Sequence, residues 1–94
     1  MGTSFDEEVE RELRQKGMTP HRWSNTAHTV YPVHEHPYAK VLFVVDGEIT
    51  FQFPHQGRTV LLKPGDRLDI PAGTYHSAVV GPHGVACVEG HILP

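Results

Sequence analysis

His34 and His36 flank Glu35, and in an extended strand residues two apart point to the same face, about 6.5 to 7 Å apart at Cα. Two imidazoles so placed can reach one ion at about 2.0 to 2.1 Å each. Imidazole suits several divalent transition metals, so the pair points to metal chemistry without naming the metal. A second pattern lies downstream, where Gly65, Pro71, Gly73 and His76 run as Gly, five residues, Pro-x-Gly, two residues, His. A strand ends at that Pro-Gly corner and the next begins with His76 directed inward. The remaining histidines, His21, His28, His55, His83 and His91, sit beside turns or near the ends and read as surface residues, with His28 the one of most interest.

The elements that must hold these side chains are legible in outline. Phe5, Val9 and Leu13 recur every four residues among charged neighbours, which predicts a short amphipathic helix over 5–16 with Ser4 as N-cap and Gly17 as its stop. One narrow apolar stripe predicts a helix that lies against a barrel or a partner subunit. From about Pro20 onward, β-rich runs are punctuated every 8 to 12 residues by Gly, Pro, Asn and Asp, the pattern of an all-β sandwich, jelly roll or small barrel. Eight short strands are expected: 21–24, 29–33, 41–45, 48–53, 58–63, 67–70, 75–80 and 85–92. Asp46-Gly47, between VLFVV and EITFQF, predicts a tight hairpin turn. Lys63-Pro64-Gly65-Asp66 and Pro71-Ala72-Gly73-Thr74 predict turns between the later strands. Phe43, Val45, Ile49, Phe51, Leu62, Leu68, Ile70 and Val88 are the expected core. This divides the chain into a helical extension, 1–17, and a barrel, 18–94.

Composition narrows the function. Ninety-four residues make one small domain that buries roughly 60 to 65% of its unfolded surface, a marginal core that predicts an added stabiliser. Cys87 is the single cysteine, so no internal disulfide serves, which leaves metal or oligomerisation and fits a reducing compartment. Eight Lys+Arg against eleven Asp+Glu, net charge −3, offer no basic stripe for nucleic acid and no polybasic patch for a membrane surface. No apolar run approaches the roughly 20 residues of a membrane span, and the acidic start lacks the pattern of a signal peptide. The reading is a soluble, cytoplasmic protein.

The two histidine motifs together resemble those of the cupin family. Its first motif carries H-x-H, an acidic residue three or four positions on and, after six residues, a glycine, here His34, His36, Lys40 and Gly47. Its second is filled in register by Gly65, Pro71, Gly73 and His76. The resemblance implies a double-stranded β-helix, or jelly roll, in which His34, His36 and His76 bind one divalent transition metal such as Fe, Zn, Ni or Mn. The chain departs from the pattern at Lys40, where the family has its acidic ligand, at His28, where a glycine opens the first motif, and at Val80, where an asparagine closes the second. Three neutral imidazoles leave the charge of the ion uncompensated, and an inward Lys40 adds to it, so the site should attract an anionic small molecule. Open coordination positions would serve such a ligand together with water or O₂. The expected function is therefore a dioxygenase-like metal site, with Lys40 or His28 holding the substrate anion or acting as acid or base. A non-catalytic binding or sensing module and a metal-dependent isomerase or lyase are the alternatives. Glu89, on the last strand, is the carboxylate best placed to approach the site or pair with Lys40. Resemblance to small single-domain members also implies a homodimer.

Overall fold

The computed structural model describes residues 4–92. The chain runs α1 (Phe5–Gln15), β1 (His21–Asn25), β2 (Val30–His34), β3 (Ala39–Phe53), β4 (Arg58–Leu62), β5 (Arg67–Ile70) and β6 (His76–Ile92). Ser4 caps α1, its hydroxyl accepting from the Glu7 N–H, and the helix ends at Gly17 in the left-handed conformation. The Lys63–Asp66 and Pro71–Thr74 turns form where the Pro-Gly pairs predict them.

The expected hairpin at Asp46-Gly47 does not form. The backbone at Gly47 does take a positive φ of 72°, as its sequence context predicts, but the chain continues through it as one strand of 15 residues. The predicted strands 75–80 and 85–92 likewise fuse into the 17-residue β6. These two long strands pair antiparallel from Ala39 opposite Ile92 to Gln52 opposite Ser77, with irregularities at Val44/Asp46 and Gly47/Ile49. A glycine that tolerates positive φ can open a bulge as readily as a turn, and a bulge bends a strand while keeping its partner. Here both strands bend together: a Cβ on Gly47 would lie 2.0 Å from the Gly84 carbonyl oxygen, so only glycine lets the backbones approach this closely.

The bends divide each long strand into two halves with different outer neighbours. The first half of β3 takes β5 and its second half β4, while β6 takes β2 on its first half and β1 on its last. The result is two four-stranded layers, β5-β3-β6-β1 and β4-β3-β6-β2, an antiparallel jelly roll whose ladder does not close into a ring. Between the layers lies the main core, including Leu42, Val44, Ile49, Phe51, Leu68, Ile70 and Cys87. Val41, Phe43 and Val88 point the other way and are covered by Val9 and Leu13 of α1 together with Met18. The helix is thus a cap on the first layer, held also by Arg22 of β1, which pairs with Asp6 at 2.6 Å and Glu10 at 2.5 Å. Among the described residues, no helix is long and apolar enough to cross a membrane.

Candidate metal centre

His34 is the last residue of β2, and its register partner on β6 is His76. Cross-strand partners share a face, and the two rings lie with centroids 4.3 Å apart. His36 sits past the end of β2, so strand alternation does not place it. A hydrogen bond does: the Gly73 N–H donates to the His36 carbonyl at 2.8 Å, tying the segment after β2 to the Pro-x-Gly corner that precedes His76. The His36 ring then stands 4.8 Å from His34 and 5.5 Å from His76. One ligand atom from each of the three falls within 4.8 Å of the others.

The hydrogens on these rings are set by their neighbours. His34 Nδ1 lies 2.7 Å from the Pro32 carbonyl oxygen and His76 Nδ1 lies 2.8 Å from that of Thr74. A carbonyl only accepts, so each Nδ1 carries the hydrogen and each Nε2 keeps its lone pair, the arrangement in which an imidazole binds metal. His76 is 1% exposed, and its Nε2 has no hydrogen-bond partner. A buried acceptor left unpaired is costly, and a divalent cation is a group that this lone pair, beside two further imidazoles, would satisfy. Burial foremost, then the positive charge of Lys40 and the neighbouring imidazoles, holds His36 below the usual imidazole range. Burial also lowers His76, against the opposing pull of the Thr74 carbonyl and with help from His34 and Lys40. Both shifts favour the neutral ring that ligation requires. The residues fit a metal ion.

The three rings open into a cavity of about 350 Å³ between the two layers. Lys40 lines it, with its Nζ 3.8 Å from Glu89 Oε1. Lys40 pairs with His91 and Leu42 with Glu89 in the β3–β6 register, so Lys40 and Glu89 are diagonal neighbours on the inward face. Glu89 is 8% exposed and accepts from the Trp23 indole N–H at 2.6 Å as well as bonding His91 Nε2. The cavity therefore holds a buried ion pair between Lys40 and the carboxylate that the sequence names as its candidate partner. His28 is elsewhere: it is an exposed turn residue at φ 64°, its N–H directed at the carbonyls of Val80 and Gly81, and it does not line the cavity. Its left-handed backbone explains why the family pattern has glycine there.

Sequence reasoning passed over Trp23 and placed His91 on the surface. Both are legible by parity: His21, Trp23 and Asn25 share one face of β1, and Cys87, Glu89 and His91 share one face of β6. The Tyr38 ring stacks between His36 at 5.0 Å and His91 at 4.3 Å. Tyr75 is exposed, with its ring beside His55.

A family model described as "Cupin domain" matches residues 22–88. Among solved structures, the chain is similar to a cupin superfamily protein from Desulfitobacterium hafniense at a TM-score of 0.71 and 17% identity, covering 82% of this chain and 68% of that one. It is similar to the polyketide cyclase RemF from Streptomyces resistomycificus at 0.70 and 25%, covering 79% and 54%. The Schizosaccharomyces pombe Cnp3 cupin domain gives 0.72 and 18%, covering 82% and 56%. The chain thus spans about half to two thirds of the length of these proteins. No curated protein matches it in sequence.

Proposed function

Since the chain belongs to the cupin domain family, we propose that it is a mononuclear metalloprotein in which His34, His36 and His76 hold one divalent transition metal, Fe, Zn, Ni or Mn, and that it oxidises a small, chelating, anionic ligand in a dioxygenase-like reaction. The observation that carries this reading is the unpaired, buried Nε2 of His76 beside the imidazoles of His34 and His36. Bound there, the ion supplies Lewis acidity and, as iron, a redox partner for O₂. The protein supplies the rest. The Pro32 and Thr74 carbonyls fix two ligand rings, and Tyr38 stacks on the third. With three neutral ligands the ion keeps its charge, so the donor atoms of the ligand are anionic. Lys40 is the side chain we assign to holding that anion, at a strength reduced by its pairing with Glu89.

A second reading, a binding module without turnover, is favoured by that same pair, because a lysine and a carboxylate engaged with each other leave neither free as a ready base. Likeness to a polyketide cyclase supports a small-molecule enzyme over a module. The test is elemental analysis of untagged protein, followed by O₂ consumption by the iron-loaded form with a panel of thiols, diketones and hydroxy acids. Ligand-dependent O₂ uptake supports the oxygenase. Bound metal and ligand without uptake in any metal form supports the module.

We read the assembly as a homodimer in the cytoplasm. The exposed row Val30, Val79 and Leu61, linked through Thr50 across the outer face of the second layer, supports the dimer. Sedimentation would measure it.

A further inference from the structure

Several of the polar groups around the cavity are engaged within the protein. The Trp23 indole N–H is given to Glu89, and the Tyr31 hydroxyl is bonded by the Asn25 side-chain amide. Lys40 is paired with Glu89, and the Arg22 guanidinium is turned to Asp6 and Glu10 of the helix. Lys40 and Arg22 therefore each have a carboxylate, the Trp23 indole has no further donor, and the Tyr31 hydroxyl accepts one bond and keeps its own hydrogen. What Trp23 and Tyr31 chiefly offer is ring surface.

The topology brings these two rings together. Trp23 lies on β1, the edge of one layer, opposite Cys87, and Tyr31 lies on β2, the edge of the other, opposite Ala78. Their centroids are 6.1 Å apart at an interplanar angle of 71°, an edge-to-face pair that bridges the layers at the cavity. Anchored at their polar ends, both rings are held in fixed orientations, and Ile49, Phe51 and Ala78 complete an apolar surround. Fixed aromatic faces reward a flat ring beyond the area it buries, through offset or edge contacts that a puckered saturated ring does not make.

We infer that the cavity selects a ligand with an aromatic body of one or two rings, gripped by Trp23 and Tyr31, whose adjacent oxygen donors face the His34, His36 and His76 cluster. The cavity volume, at the small end of the about 300–1,000 Å³ of ligand pockets, sets the ring count. This rests on the metal reading above and adds to it the chemical class of the ligand. Trp23 is then a specificity-determining residue.

Three hydroxamates with one chelating head test it: acetohydroxamate, cyclohexanecarbohydroxamate and benzohydroxamate, titrated calorimetrically into protein shown to carry one zinc per chain. Trp23 is the single tryptophan of the chain, so its fluorescence reports the body of the ligand directly. The expected result is benzohydroxamate binding at least about tenfold tighter than acetohydroxamate and at least about threefold tighter than the saturated ring, with quenching of Trp23 emission. Trp23→Leu narrows the preference over the saturated ring to within about twofold and Trp23→Phe retains it, each preference being the ratio of two affinities measured on the same variant. If the saturated ring binds as well as the aromatic one to the unmodified protein, the inference is overturned while the metal reading stands. If zinc is not taken up, or none of the three hydroxamates binds, the metal reading fails and the inference with it.

Discussion

His34 and His76 stand directly opposite each other across the β2–β6 pairing, their rings 4.3 Å apart and each with its Nδ1 at a main-chain carbonyl two residues before it. The same short-range device thus orients both rings, one at the end of a strand and one at the start of another. The backbone holds the tautomers before any ion arrives, so little has to reorganise on binding.

Removal of one ligand should therefore be felt at once. His76→Ala is expected to lose most bound metal, leaving well under 0.2 equivalents where the unmodified chain holds about one, since two imidazoles form a weak site. Chelation of the metal from the unmodified protein should lower the melting temperature, because binding energy to the folded state alone is folding energy. Elemental analysis and a thermal melt with and without EDTA check this; retention of one metal per chain by His76→Ala would falsify the ligand assignment.

Lys40→Ala should separate metal from anion. The variant is expected to hold its metal undiminished but to bind azide about threefold to tenfold more weakly, since a positive charge at the cavity wall has been removed. Spectroscopic titration of the cobalt-loaded proteins measures it. Unchanged azide affinity would assign Lys40 to neutralising Glu89 alone.

Cys87 provides a pH-dependent readout of the core. Burial, then the negative charge of Glu89, pushes its thiol up to about 12, against the opposing effect of Lys40. In the unfolded chain a cysteine ionises near about 8.5. Above that pH the unfolded state gives up a proton that the folded state keeps, so this contribution to stability is whole below about 8.5 and is lost as pH rises toward 12. Urea midpoints compared between pH 7 and pH 10.5 should fall more for the unmodified protein than for Cys87→Ala. Iodoacetamide should label Cys87 only in denaturant; rapid labelling of the native protein would contradict its burial.

The bend at Gly47 admits no side chain. Gly47→Ala places a methyl carbon 2.0 Å from the Gly84 carbonyl oxygen at a φ of 72°. A cost of about 3 kcal/mol or more is expected, read as a drop in melting temperature of the metal-free protein. A hairpin turn at this position would tolerate the change much better, so a small effect would restore that topology.

Local sequence signals carried a good part of this molecule. The capped helix, the two Pro-Gly turns, the β-rich remainder and the inward His76 all follow from the preferences of a few neighbouring residues, which act wherever the chain goes. Asp46-Gly47 shows the limit: the residues announce a positive φ, but whether it makes a hairpin or a bulge depends on whether β6 continues alongside, a partner more than thirty residues away. The candidate site divides in the same way. The family resemblance of the two motifs names His34, His36 and His76 as a cluster, whereas strand register sets His34 opposite His76 and a hydrogen bond between two loops, Gly73 N–H to the His36 carbonyl, brings in the third. His28 fills a glycine position of the family pattern with its backbone and not its ring, and it lies outside the cavity. The buried pairing of Lys40 with Glu89 and the ring pair of Trp23 with Tyr31 join residues from different strands. Neighbouring residues along the chain set which groups exist and how each short segment bends. Which of them meet is a matter of non-local contacts, and these are chosen by the packing of whole layers around one core.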